Sequence, residues 1–265
     1  MENNIIYSMT DIQRFYTYLN NYFDHIYVIT LERAKDRHEH IEKELQGLDY
    51  ELFFGKDKQL FSLEDLKAAK IYNEELAKEH HRYDKPMQDG QVGCAWSHLE
   101  VYRDTLAKGY EKVLILEDDV VIDKENINTT MQVLSSLPAD WELVYLGFAE
   151  REIAPPYASV KKQFYHFLRL LGVIKYSHTS INHLYPKKVN DHLYEAGYHD
   201  CTHAYAIKKS AAEKLFHLQQ PISFIADNLL SYAISNQLIK GYLILPKVIN
   251  QQYQVGVDST SYLNE

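Results

Sequence analysis

The sequence predicts an α/β fold built on a mixed, mostly parallel sheet that is flanked by helices. Short apolar, β-branched runs of strand length alternate along the chain with segments that carry apolar residues at helical spacing. One of these runs, KVLIL at 112–116, is almost continuously apolar, which is typical of a strand buried on both faces of a parallel sheet. With 265 residues, 46% of them hydrophobic, the chain can bury the core of one such domain.

The first half of the chain is predicted to alternate helices and strands. Residues 11–23 place Phe15 and Leu19 at helical spacing and predict a lead-in helix. Ser62, followed by Asp65 three residues later, is expected to cap a later helix. The predicted elements are a helix over 11–23, a strand over 25–31, a helix over 34–45, a strand over 50–54 and a helix over 62–76.

The second half continues the alternation. A helix of about four turns begins near residue 90 and is expected to end at Gly109, because glycine favours the left-handed conformation that ends many helices. Ser210 is expected to cap the helix that follows the strand HAYAI. The remaining predictions are strands over 112–116 and 142–146 and a helix over 126–137. We expect a lead-in at 1–24, a main domain at 25–250 with a variable segment at 151–197, and a tail at 251–265.

Composition argues against several classes of protein. The chain has 28 Lys and Arg against 37 Asp and Glu, a formal net charge of −9, which argues against a general nucleic-acid binder. No apolar run is long enough to predict a membrane-spanning helix. Cys94 and Cys201 lie far apart, and the opening residues lack the pattern of a secretory signal. We therefore expect a cytoplasmic protein with reduced thiols.

Three consecutive carboxylates, Glu117, Asp118 and Asp119, follow the predicted strand at 112–116. Like charges raise one another's pKa, and a bound divalent cation removes that cost. Successive residues of a strand point to opposite faces, so Glu117 and Asp119 are expected to share a side. In open α/β sheets this end of the strands borders the ligand crevice. The alternative is a solvated acidic turn.

Three blocks of sequence carry a family resemblance. They are YVITLERAKDRHEHIEKEL at 27–45, GQVGCAWSHLEVYRDTLAKGYEKVLILEDDVVI at 90–122 and HAYAIKKSAAEKL at 203–215. In this order they resemble glycosyltransferase family 25, which includes the galactosyl- and glucosyltransferases of bacterial lipooligosaccharide assembly. One departure is Gln91, where the family usually has Glu.

The resemblance implies a GT-A-like fold and a UDP-sugar donor held through Mn²⁺ or Mg²⁺ by a DxD-type carboxylate pair. Carried onto this chain, Asp119 is the first choice as metal ligand, with Glu117 as its partner. Asp118 is then expected to contact the ribose or sugar hydroxyls of the donor. A metal that bridges the diphosphate stabilises the charge on the departing UDP.

The end of the first strand and the helix after it are expected to bind the donor. Thr30, Leu31, Arg33 and Arg37 lie there, where an α/β fold offers a cradle for base and phosphate. The alternative is that the two arginines only pair with Asp36 and nearby glutamates.

Gly93, Ser97 and His98 lie in the helix that precedes the carboxylate strand. A glycine permits close approach of a ligand, and the two polar side chains can donate hydrogen bonds to it. The family resemblance favours a donor-binding role. The alternative is that Gly93 permits tight packing and His98 is a satisfied core histidine.

Residues after position 197 are expected to complete the site. An inverting transferase needs a carboxylate that takes the proton of the acceptor hydroxyl. Asp227, in a region that resembles the family's, is the first choice and Asp200 the second. A helix N-cap explains Asp227 equally well. His203 is a candidate for the metal shell, although a lone strand histidine is more often structural.

The variable segment is basic, although the net charge of the whole chain is negative. Residues 151–190 hold seven Lys and Arg against one acidic residue. In them, Phe164, Phe167, Leu168, Leu171 and Ile174 form a helical apolar stripe with basic flanks. Such a helix can lie on the anionic inner face of the inner membrane, where a lipid-linked saccharide acceptor is presented. The alternative is a core-packed helix with a solvated basic face.

The sequence therefore predicts a metal-dependent inverting hexosyltransferase that uses UDP-galactose, or else UDP-glucose, and extends a lipooligosaccharide. A nucleotidyltransferase is a second enzyme class, but residues 31–37 lack the glycines of its phosphate loop. A non-catalytic saccharide- or nucleotide-binding protein is the remaining alternative.

Overall fold

The computed structural model describes residues 10–81, 83–149, 153–257 and 262, apart from the side chains of residues 201 and 202. Three predicted regions lie partly outside the described residues: the lead-in at 1–9, the basic segment at Arg151 and Glu152, and the tail at 258–261 and 263–265.

The helices and strands that the apolar spacing predicts are present in the predicted order, and the structure adds further elements, most of them short, that the spacing does not predict. The helices are α1 Asp11–Tyr22, α2 Lys35–Glu44, α3 Leu63–Ala68, α4 Glu74–His80, α5 Asp89–Lys108, α6 Ile127–Ser135, α7 Ala158–Leu170, α8 His178–Asn182, α9 Lys209–Leu218 and α10 Ala226–Ser235. The strands are β1 His25–Thr30, β2 Glu51–Phe54, β3 Lys112–Glu117, β4 Val120–Ile122, β5 Leu143–Ala149, β6 Lys187–Lys188, β7 Leu193–Glu195, β8 Asp200–Lys208, β9 Gly241–Ile244 and β10 Ile249–Gln251.

An eight-stranded mixed sheet organises the described part of the chain, in the order β2-β1-β3-β8-β5-β9-β7-β6. Six of these strands run in one direction, and β8 and β7 run the other way. Strands β4 and β10 form a separate antiparallel pair. The predicted class, an α/β fold with a mixed, mostly parallel sheet flanked by helices, is confirmed.

Strand β3 is buried on both faces, as its continuous apolar run predicts. Leu114 and Leu116 pack with α1, α2 and α6 on one side of the sheet. Val113 and Ile115 pack with α5, α9 and α10 on the other. Alternate residues of a strand point to opposite faces, so a strand between two helical layers needs apolar residues at every position.

Two predicted boundaries are wrong. The helix expected over 62–76 is interrupted after Ala68, and Lys70 takes a left-handed φ of 59° before α4 begins. Ser62 does cap α3, because its hydroxyl accepts the Asp65 N–H. Ser210 is not a cap: β8 runs directly into α9, and Lys208 holds the N-cap position.

Strand order decides which side chains meet at one edge of the sheet. Strands β1 and β3 are parallel neighbours, with Ile29 opposite Glu117, so their carboxyl ends meet. Strand β8 is antiparallel to β3, and therefore its first residues lie at the same edge.

The helices within the described residues are all too short or too polar to cross a membrane.

Candidate active site

A cleft of about 430 Å³ opens at the carboxyl ends of β1 and β3. The start of α5, the loop after β2 and the end of β10 form its other walls. Its lining residues are Ile29, Thr30, Leu31, Arg37, Lys56, Lys58, Gly90, Cys94, Ser97, His98, Glu117, Asp118, Asp119, Gln251, Tyr253 and Tyr262. All three carboxylates of the predicted metal motif therefore face one cleft.

Asp118 is held by the first strand and its helix. The Thr30 hydroxyl donates to Asp118 Oδ2 at 2.6 Å. The Arg37 guanidinium lies 3.3 Å from Asp118 Oδ1 and 3.2 Å from Asp119 Oδ2, and Arg37 is only 7% exposed. Arg37 thus binds two members of the triplet, and the predicted alternative of pairing with Asp36 and glutamates alone is wrong.

Glu117 and Asp119 share a different partner. The side-chain amide nitrogen of Gln251 donates to Glu117 Oε2 at 3.1 Å and lies 3.3 Å from both carboxylate oxygens of Asp119. The pairing of β10 with β4 brings Gln251 to these carboxylates, because it places Gln251 opposite Val120. The two outer carboxylates are therefore close together. Strand alternation is not the reason, because β3 ends at Glu117 and Asp118 and Asp119 form the turn before β4.

The triplet carries more negative charge than its surroundings balance. Burial raises the pKa of Glu117 well above its usual range, and the charges of Asp119, Asp118 and Asp227 raise it further. Burial also raises the pKa of Asp118, although the Thr30 hydrogen bond and Arg37 act in the opposite direction. A divalent cation relieves this repulsion.

The residues present fit such a cation. Glu117 and Asp119 offer oxygen ligands of the kind that Mn²⁺ and Mg²⁺ prefer. The Gln251 side-chain oxygen is buried and accepts no hydrogen bond from the described residues.

Basic side chains also line the cleft. Lys56 and Lys58 follow β2, which pairs parallel with β1 and so ends at the same edge. The Lys56 ammonium lies 4.9 Å from the centre of the Trp96 ring. Arg33 lies at the rim, where its Nε donates to Asp57 at 2.6 Å and its guanidinium stacks over Tyr262 at 4.7 Å.

Helix α5 is locked to the loop after β2 by Gly93 and Ser97. A Cβ at Gly93 would lie 2.6 Å from the Lys56 carbonyl oxygen. The Ser97 hydroxyl accepts the Lys56 N–H at 2.8 Å and donates to the Gly93 carbonyl at 2.7 Å. Close packing therefore accounts for Gly93, which is not among the described residues that line the cleft. Ser97 lines the cleft and also fixes the loop that carries Lys56, which forms the lysine-bearing wall of the cleft.

His98 is both a core residue and a cleft residue. Its side chain is 3% exposed, and Nδ1 is hydrogen bonded to the Tyr205 hydroxyl at 2.7 Å. Burial lowers the pKa of His98 to about 4, so the ring is neutral near pH 7. With Cys94 and Glu117 it forms a group whose potential ligand atoms all lie within 4.8 Å of one another. Cys94 was not predicted as a site residue, because the two cysteines were used only to infer that the protein has reduced thiols.

The three later candidates lie in different surroundings. Asp227 is at the start of α10, near enough that its charge raises the pKa of both Glu117 and Cys94. The N-cap of α10 is Ile225, so the N-cap alternative for Asp227 is wrong. Asp200 begins β8, opposite Ala149.

His203 is fully buried, and its Nε2 is 3.1 Å from the Ile249 carbonyl oxygen. A Cβ at Gly147 would lie 2.5 Å from that same nitrogen, so this glycine makes room for the contact. His203 therefore connects β8 to β10 and is not among the described residues that line the cleft.

Sequence comparison connects this cleft to a known family. The model of a family described as glycosyltransferase family 25 (LPS biosynthesis protein) matches residues 23–230. The chain belongs to glycosyltransferase family 25. The matched range covers β1, α5, β3 and the carboxylate triplet, and it ends before β10.

Curated relatives of family 25 resemble part of the chain. Procollagen galactosyltransferase 2 of Mus musculus is 29% identical over 199 residues, which cover 73% of this chain and 27% of the relative. Procollagen galactosyltransferase 2 of Homo sapiens is 30% identical over 144 residues, 52% of this chain and 23% of the relative. The chain spans about a quarter of the length of these relatives.

Among solved structures, mouse xyloside xylosyltransferase 1 in its apo form aligns with 88% of this chain and 72% of its own, at 10% identity and a TM-score of 0.37.

Proposed function

We propose that the chain is a hexosyltransferase that moves galactose, or else glucose, from a UDP-sugar to a saccharide acceptor with the help of Mn²⁺ or Mg²⁺. The observation that carries this proposal is the cleft itself, which is lined by the acidic triplet, by Arg37 in contact with Asp118 and Asp119, and by Lys56 and Lys58. A diphosphate needs positive charge on both sides, from basic side chains on one and a divalent cation on the other. The galactosyltransferase relatives favour galactose.

Each wall of the cleft has a part in binding the donor. Glu117 and Asp119 hold the cation, which as a Lewis acid stabilises charge on the departing UDP. Asp118, oriented by Thr30 and Arg37, accepts hydrogen bonds from donor hydroxyls. The metal set leaves out His203, because it is not among the described residues that line the cleft.

The remaining donor contacts come from the ends of β1 and α5. Leu31 lines the cleft, and Ser97 and His98 offer polar atoms from α5. Arg33 lies next to the cleft, where its guanidinium packs over the lining residue Tyr262. Gly93 supports this wall through its contact with Lys56.

Asp227 is our choice for the base that deprotonates the acceptor hydroxyl during direct, inverting displacement. The charge of Asp227 raises the pKa of Glu117 and of Cys94, which both line the cleft, although Asp227 is not itself among the described lining residues. Asp200, at the start of β8, is the second choice. Asp227→Asn should lower kcat and leave UDP binding unchanged, whereas loss of UDP binding would point to a donor contact.

The deciding experiment is transfer and hydrolysis with a panel of UDP-sugars, with and without Mn²⁺. We expect Asp119→Asn to reduce kcat/KM by about 100-fold or more. Asp49→Asn, an exposed substitution away from the cleft, is the matched control. Turnover that needs no metal, or full activity in Asp119→Asn, contradicts the proposal. Nucleotide transfer in place of sugar transfer would support the nucleotidyltransferase class instead.

Helix α7 supports a lipid-linked saccharide as acceptor. Within α7, all of which the structure describes, no side chain is buried. Phe164 and Phe167 are each 54% exposed and Leu171 is 58% exposed, so the core-packed alternative is wrong for this part of the stripe. Leu168 and Ile174 do turn inward.

The exposed apolar stripe and the basic residues Lys161, Lys162 and Arg169 suit the surface of an anionic membrane. We therefore place the enzyme peripherally on the cytoplasmic inner face of the inner membrane, where it extends a lipooligosaccharide. Co-sedimentation with anionic and neutral liposomes tests this placement. Phe164→Ser with Phe167→Ser should abolish binding, charge reversal at the three basic residues should weaken it, and Leu60→Ser, at an exposed leucine elsewhere, should not change it. Equal binding by all variants, or none by the wild type, contradicts it.

A further inference from the structure

The backbone fixes Gln251 beside the acidic triplet. Gln251 of β10 pairs with Val120 of β4, and Val120 directly follows Asp119 in the chain. The next residue, Gln252, donates its N–H to the Asp119 carbonyl at 2.9 Å, and the Gln251 N–H is bonded to the Gln254 side chain at 3.0 Å. The backbone N–H groups of Gln251 and Gln252 are therefore both hydrogen bonded, and this limits where the Gln251 side chain can reach.

The Gln251 amide nitrogen borders the space between the two outer carboxylates, where a cation would be most stabilised. It has three carboxylate oxygens around it, one from Glu117 at 3.1 Å and two from Asp119 at 3.3 Å. An amide nitrogen offers two hydrogens, so its partial positive charge substitutes for an ion between two carboxylates.

The other half of the same amide is unsatisfied. Gln251 is 7% exposed, and its side-chain oxygen is buried with no hydrogen-bond partner among the described residues. A buried polar atom left in this state is destabilising, and a native structure keeps one where a ligand or ion uses it. A half-turn about the last side-chain bond exchanges the oxygen for the nitrogen and presents an oxygen ligand to the same place.

We propose that Gln251 is the third protein ligand of the divalent cation, together with Glu117 and Asp119. Its amide nitrogen holds the two carboxylates together while the cation is absent, and its oxygen coordinates the cation after the amide turns. This inference rests on the metal part of the proposed function and adds a residue that lies beyond the range matched by the family model.

Mn²⁺ binding tests the inference without reference to turnover. Titration followed by electron paramagnetic resonance gives the dissociation constant, and water-proton relaxation gives the number of exchanging waters on bound Mn²⁺. Gln251→Ala should raise the dissociation constant by about 10-fold or more and add one exchanging water. Gln251→Glu restores an oxygen and should keep both the affinity and the water number of the wild type.

Gln252→Ala is the matched control, since its backbone bond to Asp119 does not depend on its side chain. Circular dichroism on each variant shows that the fold is retained. The inference is overturned if Gln251→Ala binds Mn²⁺ with the affinity and water number of the wild type, or if Gln251→Glu gains the same extra water as the alanine variant.

The transfer assay separates this inference from the proposed function. If the wild type transfers sugar in a Mn²⁺-dependent manner and Gln251→Ala binds Mn²⁺ normally, only the role of Gln251 fails. If the wild type transfers sugar and binds no divalent cation, the metal dependence fails and the inference with it. If Mn²⁺ binding behaves as expected and no sugar is transferred, Gln251 remains a ligand and the choice of reaction is wrong.

Discussion

A 2.7 Å hydrogen bond joins His98 Nδ1 on α5 to the hydroxyl of Tyr205 on β8. The Tyr205 hydroxyl is in turn 2.9 Å from that of Tyr102, one helical turn along α5. This buried polar chain fixes the orientation of an imidazole whose other nitrogen lies 4.0 Å from Glu117. His98 thus connects α5 both to the acidic triplet and to β8.

The His98 pKa predicts a stability change in mild acid. Burial holds this pKa at about 4 in the folded chain, below the ordinary value of 6.5. Between these values the unfolded chain binds a proton that the folded chain does not, so the free energy of unfolding falls as the pH drops. The contribution over the whole window is about 3 kcal/mol.

Denaturant unfolding at several pH values from about 7 to about 4 measures this effect. His98→Gln should show a smaller loss of stability across the window than the wild type, whatever its stability near pH 7. His217→Gln, at an exposed histidine of α9, should retain the wild-type slope. An unchanged slope in His98→Gln would contradict the burial argument.

Removing Arg37 should destabilise the cation-free protein strongly. Arg37→Met leaves Asp118 and Asp119 buried without their shared guanidinium, and breaking a buried pair in this way costs about 3–5 kcal/mol. Chemical denaturation in the presence of a chelator is the measurement. Arg14→Ala breaks an exposed pair with Asp11 and should cost less than about 1 kcal/mol. Equal losses in the two variants would show that the Arg37 pairs contribute little.

A methyl group at Gly93 should disturb the lysine-bearing wall. Gly93→Ala places a Cβ 2.6 Å from the Lys56 carbonyl oxygen, so the loop after β2 must move. We expect a loss of about 1–3 kcal/mol in unfolding free energy, together with weaker UDP binding measured by calorimetry. Gly93→Ser should be worse in both respects. Normal UDP affinity in Gly93→Ala would show that the position of this loop does not matter for the nucleotide.

The two lysines of that wall should bind the diphosphate directly. Lys56→Ala and Lys58→Ala should each weaken UDP binding by about 10-fold at low salt, since a hydrogen bond to a charged group contributes about 1.5–3 kcal/mol. Lys85→Ala, at an exposed lysine away from the cleft, is the control. The difference from wild type should shrink as ionic strength rises. Affinities that match the wild type at low salt would remove these lysines from the donor site.

Local patterns predicted the centre of the molecule well. The apolar run of β3, the helical spacing of α5 and the stop at Gly109 are short-range signals, and each element lies within a few residues of its predicted bounds. Glu117 and Asp119 do lie close together, but for a reason other than the strand geometry that predicted it: the strand ends at Glu117, and Asp119 lies in the turn that follows, where Gln251 contacts both carboxylates.

The parts that sequence reasoning missed depend on contacts between distant segments. Lys56 and Lys58 line the cleft because β2 pairs with β1, and the residues of the two strands do not by themselves reveal that they are neighbours. The sequence did offer one clue: β1 and β2 are consecutive strands, and consecutive strands that pair in parallel end at the same edge of the sheet. Gln251 is 134 residues from Glu117, and nothing in its short strand reveals the partner. The contact of His203 with Ile249 depends on the same late strand and was likewise not visible in the sequence.

The pairing of β4 with β10 also divides the chain by what each part contributes. Residues up to the end of β9 contain every strand of the eight-stranded sheet. Gln251 and Tyr253, which line one wall of the cleft, come after them, as do the fully buried core residues Val248 and Ile249. A change in this last stretch can therefore impair both the core and the site while leaving every strand of the main sheet in the sequence.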